Sequence, residues 1–143
     1  MDKLLISACL LGIPCRYDGK SKPLAAISRL REKYELIPVC PEQLGGLPTP
    51  RTPSERRDDR VVMADGTDVT AQYQKGAHAA LDLCLREGCV AAVLKDRSPS
   101  CGSGEIYDGT FTRSLAAGDG VTAELLKKNG IKVYRESELD ALL

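Results

Sequence analysis

The chain has 143 residues, with 20 Lys and Arg against 20 Asp and Glu, so its formal net charge is zero. That length suits one domain around one core. The balance of charge gives no overall pull toward nucleic acid or an anionic membrane, and no stretch approaches the ~20 apolar residues of a membrane span.

The opening "MDKLLISACLLG" is apolar but short, and lacks the hydrophobic run and cleavage site of a secretory leader. A cytoplasmic protein is expected, with its six cysteines as reduced thiols or ligands rather than disulfides. Residues 3–8 read as a buried strand, followed by the Gly- and Pro-containing "LGIPCRYDG". Residues 24–33 carry Leu24, Ile27 and Leu30 at helical spacing, with Pro23 suited to the first turn. Residues 35–40, "ELIPVC", read as a second strand, which Pro38 confines to an edge or an irregular end.

"PEQLGGLPTPRTPSERRDD" then reads as a long loop, and loops of that length inside compact domains tend to be functional or disordered. "RVVMADGTDVT" has the signature of a hairpin turning at Asp65-Gly66. A helix is expected from about Asp68 to Glu87, capped by Gly88, with Ala77, Leu81, Cys84 and Leu85 on one face. "CVAAVLK" is the third parallel-type strand, and "GDGVTAELLKKNG" a short helix stopped at Gly130. "IKVYRE" is the last strand, and "SELDALL" a terminal helix capped by Ser137. Alternating strands and helices predict a single α/β domain over residues 1–143: a mainly parallel, Rossmann-like sheet with helices on both faces.

This topology makes three cysteines informative. Cys9 follows the first strand, Cys40 ends the second, and Cys101 lies in the loop after the third. The loops of a parallel sheet leave from one edge, which carries the ligand crevice, so the three are expected together if their strands are neighbours. Three readings stay open. Thiolates could hold a metal; without any C-x-x-C knuckle, a three-thiolate site with an open position follows the logic of a catalytic metal or an iron–sulfur cluster. One thiol could be a redox or nucleophilic group. All could be ordinary buried thiols. Cys84 and Cys89 read as core, whereas Cys15 could be a fourth ligand, a resolving thiol or neither.

"ISACLLGIPCRYDG", "PVCPEQLGGLPTPR" and "DRSPSCGSGEIYDGTF", with the later "GDGVTAELLKKNGIKV", resemble the thiouracil desulfurase (TudS) family over nearly the whole chain. The resemblance implies an oxygen-sensitive [4Fe-4S] cluster held by three cysteines, which map onto Cys9, Cys40 and Cys101. The fourth iron, free of protein ligands, would take the sulfur of a thiolated pyrimidine whose C=S becomes C=O without net redox change. Cys15 is not needed by that pattern.

Such chemistry requires a thiophilic Lewis acid, an activated water and groups that hold a small ring. Glu42, in "CPEQ", is the acid/base candidate, because an apolar rim and a cluster could raise its pKa toward the working pH. Ser98 and Ser100, flanking Pro99, could orient a water or the ring, or could simply build the turn. Gly102 and Gly104 allow close backbone approach, and their N–H groups could donate to cluster sulfides. Arg51 could balance an anionic cluster or hold substrate. Arg16 is equally suited to a surface ion pair. "KDRSPSCGSG" is not a Walker loop, and the single His78 argues against Ser-His-Asp chemistry. The rivals to an iron–sulfur desulfurase are a thiol redox enzyme and a non-enzymatic metal- or sulfur-binding module. Replacing Glu42 separates the enzyme from the binding module.

Overall fold

The protein is described by a computed structural model covering residues 1–21 and 23–143. In chain order the elements are β1 (Asp2–Ser7), α1 (Ile27–Lys33), β2 (Tyr34–Val39), α2 (Pro41–Leu44), β3 (Ser54–Arg57), β4 (Arg60–Met63), α3 (Thr70–Glu87), β5 (Ala91–Leu94), β6 (Glu105–Tyr107), β7 (Leu115–Ala117), α4 (Val121–Lys128) and β8 (Lys132–Arg135). Short 3-10 turns cover Ala8–Leu11 and Glu136–Ala141.

Four strands form one parallel sheet in the order β2-β1-β5-β8, and the expected α/β architecture is present. Alternation along the central strands separates two cores. Leu4 and Ile6 of β1, with Ala91 and Val93 of β5, face Leu30 of α1 and the C-terminal Leu139 and Leu142. Leu5, Ala92 and Leu94 face Ala80, Leu81 and Cys84 of α3 and Ala123 and Leu126 of α4. Both faces are therefore covered, which suits β1 and β5 as near-continuous apolar runs. Pro38 sits opposite Ile6 on β2, an edge strand, where a missing N–H is tolerated.

Several local expectations are corrected. β4 pairs antiparallel with β3, inside the stretch read as loop, as well as bridging to the segment after Gly66. The expected Asp65-Gly66 hairpin is present in short form, with the Met63 N–H donating to Thr67 O at 2.8 Å, the Val69 N–H to Val61 O at 2.9 Å and Val62 bridging Asp68, but its second arm does not run on as a strand. Asp68 instead accepts from the Thr70 N–H at 2.9 Å, turning the chain directly into α3. The "loop" after Cys40 also contains α2, and a second small hairpin joins β6 to β7. α1 begins at Ile27 rather than Leu24, whose N–H is bonded back to Leu10 O at 3.0 Å. The C-terminal element is a 3-10 turn capped at Arg135, whose N–H donates to Glu138 Oε1 at 2.9 Å, so Ser137 is not the cap.

Candidate functional site

β2, β1 and β5 are adjacent, so the loops that follow them leave the sheet side by side. From β1 the chain goes to β2 on one side and later to β5 on the other, and open α/β sheets form ligand crevices at such a reversal. Cys9 lies in the 3-10 turn after β1, Cys40 directly follows β2, and Cys101 lies in the loop after β5. Cys9 and Cys101 are buried and Cys40 is partly buried.

Cys15 joins them. It is buried, and its thiol lies near enough to Cys9 and Cys40 for each to act on its ionisation. The Cys40 thiol also faces Cys15 O at 3.7 Å. Ser7, the last residue of β1, ties the strand ends together: its hydroxyl accepts from the Lys95 N–H at 2.9 Å and contacts the Cys101 thiol.

The thiols oppose one another's ionisation. The hydrogen bond with Cys40 pulls Cys15 down, but the bond with Cys9 and burial push it up, to about 11. Its bond with Cys15, then burial, moves Cys40 far upward. Burial pushes Cys101 up to about 12, against the Ser7 hydroxyl and with the negative Glu42 and Cys40 adding to the rise. Cys15, Cys40 and Cys101 thus hold their protons, the nearby Arg51 charge offsetting the rise only in part and at Cys15. A bound metal centre replaces those protons, so the donor set fits soft-metal or iron–sulfur ligation. Among the described residues no group of three His, Cys, Asp or Glu is placed to hold one metal ion. A polynuclear cluster does not require that, since each thiolate binds its own iron.

Glu42 stands at this site on α2. Oε1 accepts a hydrogen bond from the Tyr73 hydroxyl, and Oε2 pairs with Arg51 Nη2 at 3.2 Å. Its negative charge acts on both Cys40 and Cys101. The Arg51 side chain is 2% exposed. Its Nη1 donates to Pro48 O at 3.1 Å and Thr49 Oγ1 at 3.0 Å, and its Nη2 to Cys15 O at 3.0 Å. Arg51 therefore clamps the Cys15 loop to α2.

The Cys101 loop is held internally. Ser98 Oγ accepts from the N–H groups of Ser100 and Cys101, both at 3.0 Å. Ser100 is fully buried, with Oγ 2.8 Å from Thr122 Oγ1 on α4. The Gly102 N–H donates to Ser98 O at 2.9 Å and that of Gly104 to Asp119 Oδ1 at 2.8 Å, so both are engaged away from the sulfurs. Gly102 is needed for packing: a Cβ there would fall 2.6 Å from Ile106 Cγ2 and 2.8 Å from Ser98 O. His78 is exposed on α3, and Arg16 lies 4.0 Å from Asp18 in a partly exposed ion pair.

Sequence reasoning missed Ser7, Tyr73 and Thr122. Ser7 ends a strand beside the first cysteine, which was a usable signal. Tyr73 and Thr122 reach the site only through tertiary packing.

The fold and site define a parallel α/β protein whose Cys9-, Cys40- and Cys101-bearing loops leave side by side at the switch point of its sheet. A family model described as 2-thiouracil desulfurase matches residues 4–138, and the chain belongs to that family. It is 41% identical to the uncharacterized protein YbbK of Bacillus subtilis (strain 168), over 98% of this chain and 99% of that protein. A solved structure described as a [4Fe-4S]-dependent thiouracil desulfidase, TudS, superposes with a TM-score of 0.94 at 48% identity, covering 99% of this chain and 95% of that one.

Proposed function

We propose that the protein is a cytoplasmic, iron–sulfur-dependent enzyme that desulfurises a thiolated pyrimidine such as thiouracil, with residues 1–143 acting as one catalytic unit. One thiocarbonyl and one water give one carbonyl and one hydrogen sulfide, with no net oxidation or reduction. The observation that carries this reading is the meeting of the Cys9, Cys40 and Cys101 loops beside Glu42 at the sheet's switch point. The family membership and the TudS likeness support it.

Cys9, Cys40 and Cys101 would hold the cluster, whose remaining iron supplies a thiophilic Lewis acid for the substrate sulfur. Glu42 takes the proton of the attacking water and returns it to the departing sulfide. Arg51 acts on Glu42 and the Cys15 loop, because its Nη2 is engaged by Glu42 Oε2 and Cys15 O. Ser98, Ser100 and Gly102 hold Cys101 in place through the loop contacts above. A thiol redox enzyme needs a depressed thiol pKa, whereas Cys15, Cys40 and Cys101 are all shifted upward.

The test is anaerobic purification with iron, acid-labile sulfide and visible absorption measured beside conversion of 2-thiouracil to uracil. Iron and sulfide in equal amounts, with uracil and sulfide released together, are expected. Absence of both after reconstitution would overturn the reading. Glu42→Gln that keeps its iron but loses turnover marks an enzyme; unchanged turnover removes Glu42 from the chemistry.

A further inference from the structure

We propose that Tyr73 is a positioning residue for Glu42, fixing one carboxylate oxygen from α3 while Arg51 fixes the other. This rests on Glu42 as the proton-handling group, and no sequence motif points to it. The geometry does. Tyr73 lies in the first turn of α3 and is 1% exposed. Its ring is locked among Leu47, Val61 and Val69. Its hydroxyl donates to Glu42 Oε1.

The two oxygens are thus held from different directions by different elements. Arg51 also binds Cys15 O, Pro48 O and Thr49 Oγ1, so its guanidinium is itself fixed. With both ends of its carboxylate restrained, Glu42 keeps one orientation toward the thiols. An enzyme gains rate from a base held in place before substrate arrives. The tyrosine remains a phenol donor over any working pH, because burial first, and the charge of Glu42 second, raise its pKa.

A purely structural tyrosine would fill the same space, so the variants separate hydroxyl from ring. Tyr73→Phe removes only the donor. Tyr73→Leu removes the ring as well and serves as the packing control. Tyr73→Phe is expected to retain wild-type iron and sulfide and to keep KM for 2-thiouracil within about twofold. Its kcat is expected to fall about ten- to hundredfold, the range for losing one hydrogen bond to a charged group. In a Glu42→Gln background the same change is expected to have little further effect.

A second readout needs neither cluster nor turnover. In metal-free protein carrying 13C-labelled glutamate, the Glu42 carboxylate stretch is identified as the infrared band missing from Glu42→Gln. Tyr73→Phe is expected to shift that band. An unshifted band overturns the proposal whether or not thiouracil is a substrate. So does wild-type kcat in Tyr73→Phe, or loss of its iron, which would assign the hydroxyl to folding. If wild type fails on thiouracil while the band shifts, the function falls and the positioning contact stands.

Discussion

Gly45 and Gly76 let α2 lie directly on α3. A Cβ on Gly76 would fall 1.8 Å from Pro41 O, and one on Gly45 would fall 2.0 Å from Gln72 O. Neither obstacle is a flexible side chain, so the backbones themselves would have to part. α2 starts immediately after Cys40 and carries Glu42, so this contact sets the position of a proposed ligand and of the proposed base.

Gly76→Ala is therefore expected to do more than destabilise. Overpacking costs about 1–3 kcal/mol, and more where nothing can yield. The shift also moves Cys40 away from Cys9 and Cys101, so iron per chain should drop in parallel. Ala71→Ser, on an exposed position of the same helix, should change neither. Thermal unfolding and iron content of the two variants decide this. A Gly76→Ala protein of normal iron content would show that α2 is not set by the contact.

The cysteines divide by position. Ala at Cys9, Cys40 or Cys101 is expected to abolish iron retention after anaerobic reconstitution. Ala at Cys15 removes a small buried side chain, costing on the order of 1 kcal/mol, and should leave the cluster in place. Iron lost equally from all four variants would make Cys15 a ligand and end the three-cysteine reading.

The grouping of these loops at one end of the sheet was half legible in the chain. Strand-ending positions of Cys9 and Cys40, and a loop carrying Cys101, needed only a parallel sheet to bring them together, and Pro38 correctly marked an edge. Cys15 was not placed, because its approach to Cys9 and Cys40 depends on a turn pinned by Arg51 from a distant loop. "SERR" hid β3: it follows a proline, is charged, and pairs only along a small two-stranded hairpin. Nothing in the sequence singled out Tyr73, since its partner Glu42 is chosen by helix contact and not by sequence spacing.

Ser100 and Thr122 form a buried hydroxyl pair, which anchors the Cys101 loop to the first turn of α4. Ser100→Ala leaves Thr122 unpartnered and should cost about 1–3 kcal/mol. Adding Thr122→Val removes the orphan and should restore most of that loss. Urea midpoints of the two single variants and the double variant measure the coupling. Additive losses would mean the hydroxyls act separately, and would return Ser100 to consideration as a group acting on substrate.

At the opposite edge of the sheet, Cys84 and Cys89 meet across the end of α3. The Cys89 N–H donates to Cys84 O at 3.0 Å and the Gly88 N–H to Leu85 O at 3.2 Å, a Schellman ending that brings these two side chains together. Burial, followed by the neighbouring Cys84, raises the Cys89 thiol to about 11. The unfolded value is about 8.5. A group whose pKa is raised on folding favours the protonated native state. Its contribution is whole below about pH 8.5 and is lost as pH climbs through about 11. Metal-free wild type should therefore lose urea resistance between pH 8.5 and 10.5 more steeply than Cys89→Ala, with Cys15 and Cys101 supplying the slope that both share. Identical pH slopes would show that Cys89 ionises in the folded protein as readily as in the unfolded chain, and that the contact with Cys84 carries no penalty for its thiolate.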